Sequence, residues 1–100
     1  MTLTDLIIAV KEQNLSKDQL ESYRDQLSNL FAEMQMEMAD LEKEEAIYMA
    51  VIRDTDLSVA SLKVAWKATD RGQRLIILKR YALATKELLN SLKSRLYSIY

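Results

Sequence analysis

From residue 20 onward the apolar positions of this chain recur in steps of three and four. Leu20, Tyr23, Leu27, Leu30 with Phe31, Met34, Met38, Leu41, Tyr48 and Val51 with Ile52 form one stripe. That is the period of an α-helix buried on one side, and no strand-like alternation competes with it. Ser16-Lys17-Asp18-Gln19, just ahead of the stripe, reads as a capping box. A helix is therefore predicted over about residues 17–53. The small polar cluster Asp54-Thr55-Asp56-Leu57-Ser58 is the one convincing turn signal after residue 20. Beyond it, Val59, Leu62, Val64, Trp66, Leu75, Leu78, Ala82, Thr85, Leu89, Leu92 and Leu96 predict a helix over about residues 58–97, capped by Asp56 or Ser58. Leu75, Ala82, Leu89 and Leu96 fall in heptad register, as do Leu78, Thr85, Leu92 and Ile99. A short first helix over about residues 5–13 follows from Leu6, Ile7 and Val10, with Thr4 as N-cap and Asn14 past its end.

One place interrupts the last helix. Gly72, in Ala68-Thr69-Asp70-Arg71-Gly72, costs about 1 kcal/mol relative to Ala inside a helix. Thr69 or Asp70 could cap a restarted helix there. The apolar phase largely survives the gap, so the preferred reading is one continuous helix, bent at most. The two long helices are then each about 55 Å, at a rise of about 1.5 Å per residue. A short turn between equal helices implies an antiparallel, coiled-coil-like hairpin.

In that register Tyr48 meets Val64, Met34 meets Leu78, Leu27 meets Thr85, and Leu20 meets Leu92. Leu75-Ile76-Ile77-Leu78 points around the whole helix, which implies burial on more than one side. The expectation is an all-α fold in a single helical domain, residues 1–100: a short N-terminal helix plus the hairpin, completed into a bundle by self-association, most simply a homodimer.

Composition narrows the chemistry. The chain has 100 residues, no Cys, no His, no Pro and a single Gly. There is no disulfide framework, no Cys/His zinc site and no His general base. No cofactor is expected. The N-terminus lacks the basic leader of a signal peptide, and no stretch reaches the roughly 18–20 apolar residues of a membrane span. The expected location is the cytoplasm, with no membrane partner. The net charge of −1 conceals an asymmetry. Residues 1–56 carry five Lys/Arg against thirteen Asp/Glu, and residues 57–100 carry nine against two. The hairpin lays Glu37, Asp40, Glu42, Glu44 and Glu45 beside Lys67, Arg71 and Arg74, so part of the asymmetry is pairing inside the fold.

Several residue sets carry candidate chemistry. Glu37, Asp40 and Glu44 share a helix face and could hold a divalent cation, as in helical nucleotide pyrophosphohydrolases. The neighbouring helix offers Lys and Arg where a second acidic set is needed, and a salt-bridged face explains the same residues. Lys63, Lys67, Arg71, Arg74, Lys79, Arg80, Lys86, Lys93 and Arg95, with Tyr81, Tyr97 and Tyr100 nearby, could follow a phosphate backbone. They also serve as the polar face of an amphipathic helix. The acidic helix could imitate a phosphate backbone over about 40 Å, or it is a solvated surface. Met34, Met36, Met38 and Met49 suit adaptable binding or core packing. Trp66 reads as a packing anchor, with an interface role as the alternative.

The span from Glu44 to Tyr97, with Trp66-Lys-Ala-Thr69-Asp-Arg-Gly72-Gln-Arg and the closing Leu92-Lys-Ser-Arg-Leu-Tyr97, resembles short helical proteins encoded by bacteriophages, in style and length over about half the chain. The resemblance implies action by binding: modulating a host enzyme, assisting replication or recombination, or blocking a defence system such as CRISPR. The function expected is a non-enzymatic protein–protein interaction module, of the inhibitor or modulator kind, that occupies a partner surface. Glu37, Asp40, Glu44 and Glu45 are the candidate contacts to a basic protein partner. The alternative is a nucleic-acid-binding accessory protein using Lys79, Arg80, Lys86, Lys93 and Arg95. A second alternative is a structural coiled-coil oligomer.

Overall fold

The computed structural model describes residues 2–12, 14–52 and 58–99. Its helices are α1 (Leu3–Val10), α2 (Lys17–Val51), α3 (Val59–Ala68) and α4 (Asp70–Ile99), and there is no strand among the described residues. The fold is all-α, as the three-and-four spacing of apolar residues requires. No described helix is long and apolar enough to cross a membrane.

The helix starts follow from local hydrogen bonding. The α1 cap is Thr2, not Thr4. The Thr2 hydroxyl accepts the Asp5 N–H and the Asp5 carboxylate accepts the Thr2 N–H, both at 3.2 Å. This reciprocal pair needs the acid three residues after the cap, which Thr2 satisfies and Thr4 does not. The bonds to Thr2 hold the Asp5 carboxyl below its ordinary range. Helix α1 ends at Val10, short of the expected residue 13, with Lys11 as its C-cap. Gln13 lies outside the described residues. Ser16 caps α2 by the box its sequence announces: its hydroxyl accepts the Gln19 N–H and the Gln19 side chain accepts the Ser16 N–H. Arg53 and the turn residues Asp54, Thr55, Asp56 and Leu57 also lie outside the described residues. Ser58 is the cap of α3, its hydroxyl accepting the Ser61 N–H.

The single helix expected over about residues 58–97 is in fact two. Thr69 adopts an extended backbone (φ −76°, ψ 157°) between α3 and α4. Its N–H and its hydroxyl both donate to the Trp66 carbonyl, at 3.0 and 2.6 Å. The same hydroxyl accepts the Gly72 N–H at 3.0 Å, so one side chain closes α3 and opens α4. The Gln73 side-chain amide adds a bond to the Lys67 carbonyl. These bonds satisfy helix-end groups that a continuous helix would have paired internally, which is why a preserved apolar phase did not mean a preserved backbone.

The chain divides into two compact units. The first comprises Met1–Glu33 and Ala82–Tyr100. Its core joins Leu6 and Val10 of α1, Leu20 and Leu27 of α2, and Leu92 and Leu96 of α4. Leu20 and Leu92 belong to one cluster, as the hairpin register requires. Each fully buried leucine contributes about 1.5–3 kcal/mol of transfer free energy.

The second unit is Met34–Tyr81. Leu41, Leu75 and Leu78 form its buried cluster, with Met34 and Met38 packed against it. Leu62 and Trp66 are buried on α3. Val64 is 68% exposed, against expectation. At about 100° per residue it points away from the side that Leu62 and Trp66 share. Tyr48 accordingly meets Trp66 rather than Val64, with ring centroids 5.5 Å apart and planes tilted by 53°. Val51 and Val59 are also exposed.

Candidate functional site

The acidic candidates lie in the second unit, on the C-terminal half of α2. Two of them face arginines at the start of α4. Glu44 accepts two hydrogen bonds from Arg71, at 2.8 and 2.7 Å. Glu37 accepts from Arg74, the shortest contact being 3.0 Å. Going down α2 from Glu44 to Glu37 corresponds to going up α4 from Arg71 to Arg74, so the two segments run in opposite senses here. The hydrogen bond and charge of Arg71 hold the Glu44 carboxyl below its ordinary range. Glu44 in turn raises the Arg71 pKa, with weaker help from the charges of Glu37 and Asp40. Both pairs are half-exposed, and such pairs fix register more than they stabilise.

Glu37 and Glu44 are therefore occupied within the fold. Asp40 is exposed. Glu45 points elsewhere, into the lining of a cleft between α3 and α4. No group of three or more acidic side chains that could hold a metal ion occurs among the described residues.

The basic candidates are also divided. Lys79 and Arg80 are exposed in the second unit, and Lys86 and Lys93 are exposed in the first. Arg95 is different. Its guanidinium donates to the Val10 carbonyl at 2.6 Å and to the Glu12 carbonyl at 2.8 Å. Carbonyls at a helix C-terminus lack intrahelical donors and carry the negative end of the helix dipole. Arg95 supplies both the donor and the charge, and so ties α1 to α4.

Two concave features of the second unit were not singled out by the sequence pattern. The first is an apolar groove of about 390 Å³ lined by Ala46, Met49 and Ala50 of α2 and Val59 and Leu62 of α3. Ile47 and Val51, also on this stretch of α2, are exposed. The second is the cleft reached by Glu45, whose lining includes Lys63, Trp66 and Lys67 of α3 with Gly72, Leu75, Ile76 and Lys79 of α4. Its lining spans the helix break at Thr69. Of the four methionines read as a cluster, Met34 and Met38 serve the core, Met49 lines the groove, and Met36 is exposed. Trp66 is a packing anchor, only 5% exposed.

Compared with protein-family models, curated proteins and solved structures, the chain matches none.

Proposed function

We propose that this protein is a non-enzymatic protein–protein interaction module that acts by occupying a partner's surface. The observation that carries the reading is the groove between α2 and α3. Its lining is entirely apolar side chains, among them Val59, which is 62% exposed. Apolar area concentrated in one concavity, rather than scattered singly over a surface, is the usual mark of a recognition site. The bonded pairs Glu44–Arg71 and Glu37–Arg74 support a revised division of labour: these acids hold α2 to α4, and the groove meets the partner by apolar contact.

The reading includes an antiparallel α2–α4 hairpin that self-association completes into a bundle. Its narrower form, an inhibitor or modulator of a host or defence enzyme, rests on the resemblance to phage-encoded helical proteins. The direct test is selection of a displayed random-peptide library on the immobilised full chain. The expected result is enrichment of peptides whose capture is lost with Val59→Glu. Failure to enrich any peptide overturns the reading. Sedimentation at micromolar concentration tests self-association, and a monomer there contradicts it.

A further inference from the structure

We infer that the cleft between the end of α3 and the start of α4 docks an acidic peptide segment bearing one apolar side chain. This rests on the interaction-module reading and gives the partner its chemistry.

The cleft combines an apolar floor with an excess of positive charge. Trp66 and Leu75 are buried beneath it and Ile76 is half-buried. Gly72, pressed against the last turn of α3, adds backbone to the lining. The rest of the lining comprises three basic residues, Lys63, Lys67 and Lys79, against the single acidic residue Glu45. All three lysines are exposed, and none forms an ion pair among the described residues. The contrast with Arg71 and Arg74 is direct: the arginines of this α4 segment hold the carboxylates of α2, while these lysines hold none. Lys63 and Lys67 are one helical turn apart, about 6 Å along α3. That spacing suits two carboxylates one turn apart on a helical partner.

Size and floor decide the rest of the partner's character. The cleft encloses about 200 Å³, less than the roughly 300–1,000 Å³ of small-molecule sites. A single anchoring side chain fits such a space. Nucleic acid is the less suitable occupant, because base recognition without sequence preference uses an open aromatic face. Trp66 offers none: it is 5% exposed and packed against Tyr48. An aliphatic anchor flanked by carboxylates satisfies both the floor and the rim, with the charges giving orientation and selectivity.

The test is fluorescence anisotropy of the full chain with four labelled probes: a Glu/Leu peptide, an all-Glu peptide, a Lys/Leu peptide and an oligo-dT strand. The expected result is preferential binding of the Glu/Leu peptide, weakened at least about tenfold by the double substitution Lys63→Glu, Lys67→Glu and by raised salt. Both lysines are exposed, and circular dichroism verifies that the variant folds. Unchanged Glu/Leu binding in that variant overturns the inference. So does equal binding of the Lys/Leu peptide, or tighter binding of oligo-dT lost in the same variant. If peptides bind only in a way that Val59→Glu abolishes, this inference falls while the interaction-module reading stands. If no peptide binds by anisotropy or by library selection, both fall.

Discussion

Gly72 lies so close to Trp66 that a Cβ on it would stand 2.0 Å from the Trp66 carbonyl oxygen. The Trp66 carbonyl carbon would be 2.8 Å away and the Lys67 Cα 3.0 Å. All three are backbone atoms, so no side-chain rotation relieves the clash. Gly72 has an ordinary helical conformation and no positive φ. It is required by space, because the last turn of α3 presses on the first turn of α4.

Gly72→Ala is therefore expected to destabilise the protein by about 1–3 kcal/mol, the usual range for overpacking. In an ordinary helix interior the same change stabilises by about 0.4–1 kcal/mol. Urea denaturation distinguishes the two signs.

Thr69→Val keeps the branched shape and removes the hydroxyl that bonds both the Trp66 carbonyl and the Gly72 N–H. The expected loss is about 1 kcal/mol, typical of a deleted N-cap. Thr69→Ser should retain most of the stability. Thermal melts of the two variants beside the native chain provide the comparison.

Arg95 bonds two carbonyls at the end of α1. Arg95→Ala should expose the α1 amides to faster hydrogen exchange, and Arg95→Lys should rescue only part of the protection because it cannot fork to both oxygens. Amides of α3 should be unaffected. Uniform acceleration across the chain would show global destabilisation instead of release of α1.

The Glu44–Arg71 pair gives a pH-dependent contribution of defined sign. The folded Glu44 carboxyl is held below its ordinary value by Arg71. Its contribution is present above about pH 4.3, the ordinary glutamate value, and is lost as pH falls through the lower folded value. Glu44→Gln should be less stable than the native chain at neutral pH and equal to it once both are acidified. The neutral-pH difference should shrink in high salt. Denaturation midpoints across a pH series are the measurement.

The helical class was legible because Leu20, Leu27 and Leu41 recur at helical spacing with nothing to oppose them. The Ser16 cap was equally legible, since its partner Gln19 is three residues away in sequence. The break at Thr69 was not. The apolar phase reports which side of a backbone is buried, and Leu62, Trp66, Leu75 and Leu78 remain buried across it. What decides continuity is a hydroxyl choosing between two helix ends, together with a glycine pressed on a carbonyl. Arg95 is only one candidate phosphate contact in the sequence, because charge alone does not distinguish a guanidinium aimed at solvent from one aimed at Val10 and Glu12. The pairing of Glu37 and Glu44 with arginines did follow from the expected register. Its consequence, that these acids are engaged within the fold, requires the observed distances.

The buried position of Trp66 also makes the protein its own spectroscopic probe. Trp66 is the only tryptophan in the sequence, and it lies in the unit formed by Met34–Tyr81. Emission excited at the red edge of the protein band, where tyrosine does not absorb, reports from that unit alone. The unit containing α1 is silent at that wavelength. A melt followed by this emission, superposed on one followed by far-ultraviolet dichroism, therefore measures whether the two units unfold together. Coincident curves mean a shared transition, and separated curves give each unit its own stability without any label being added.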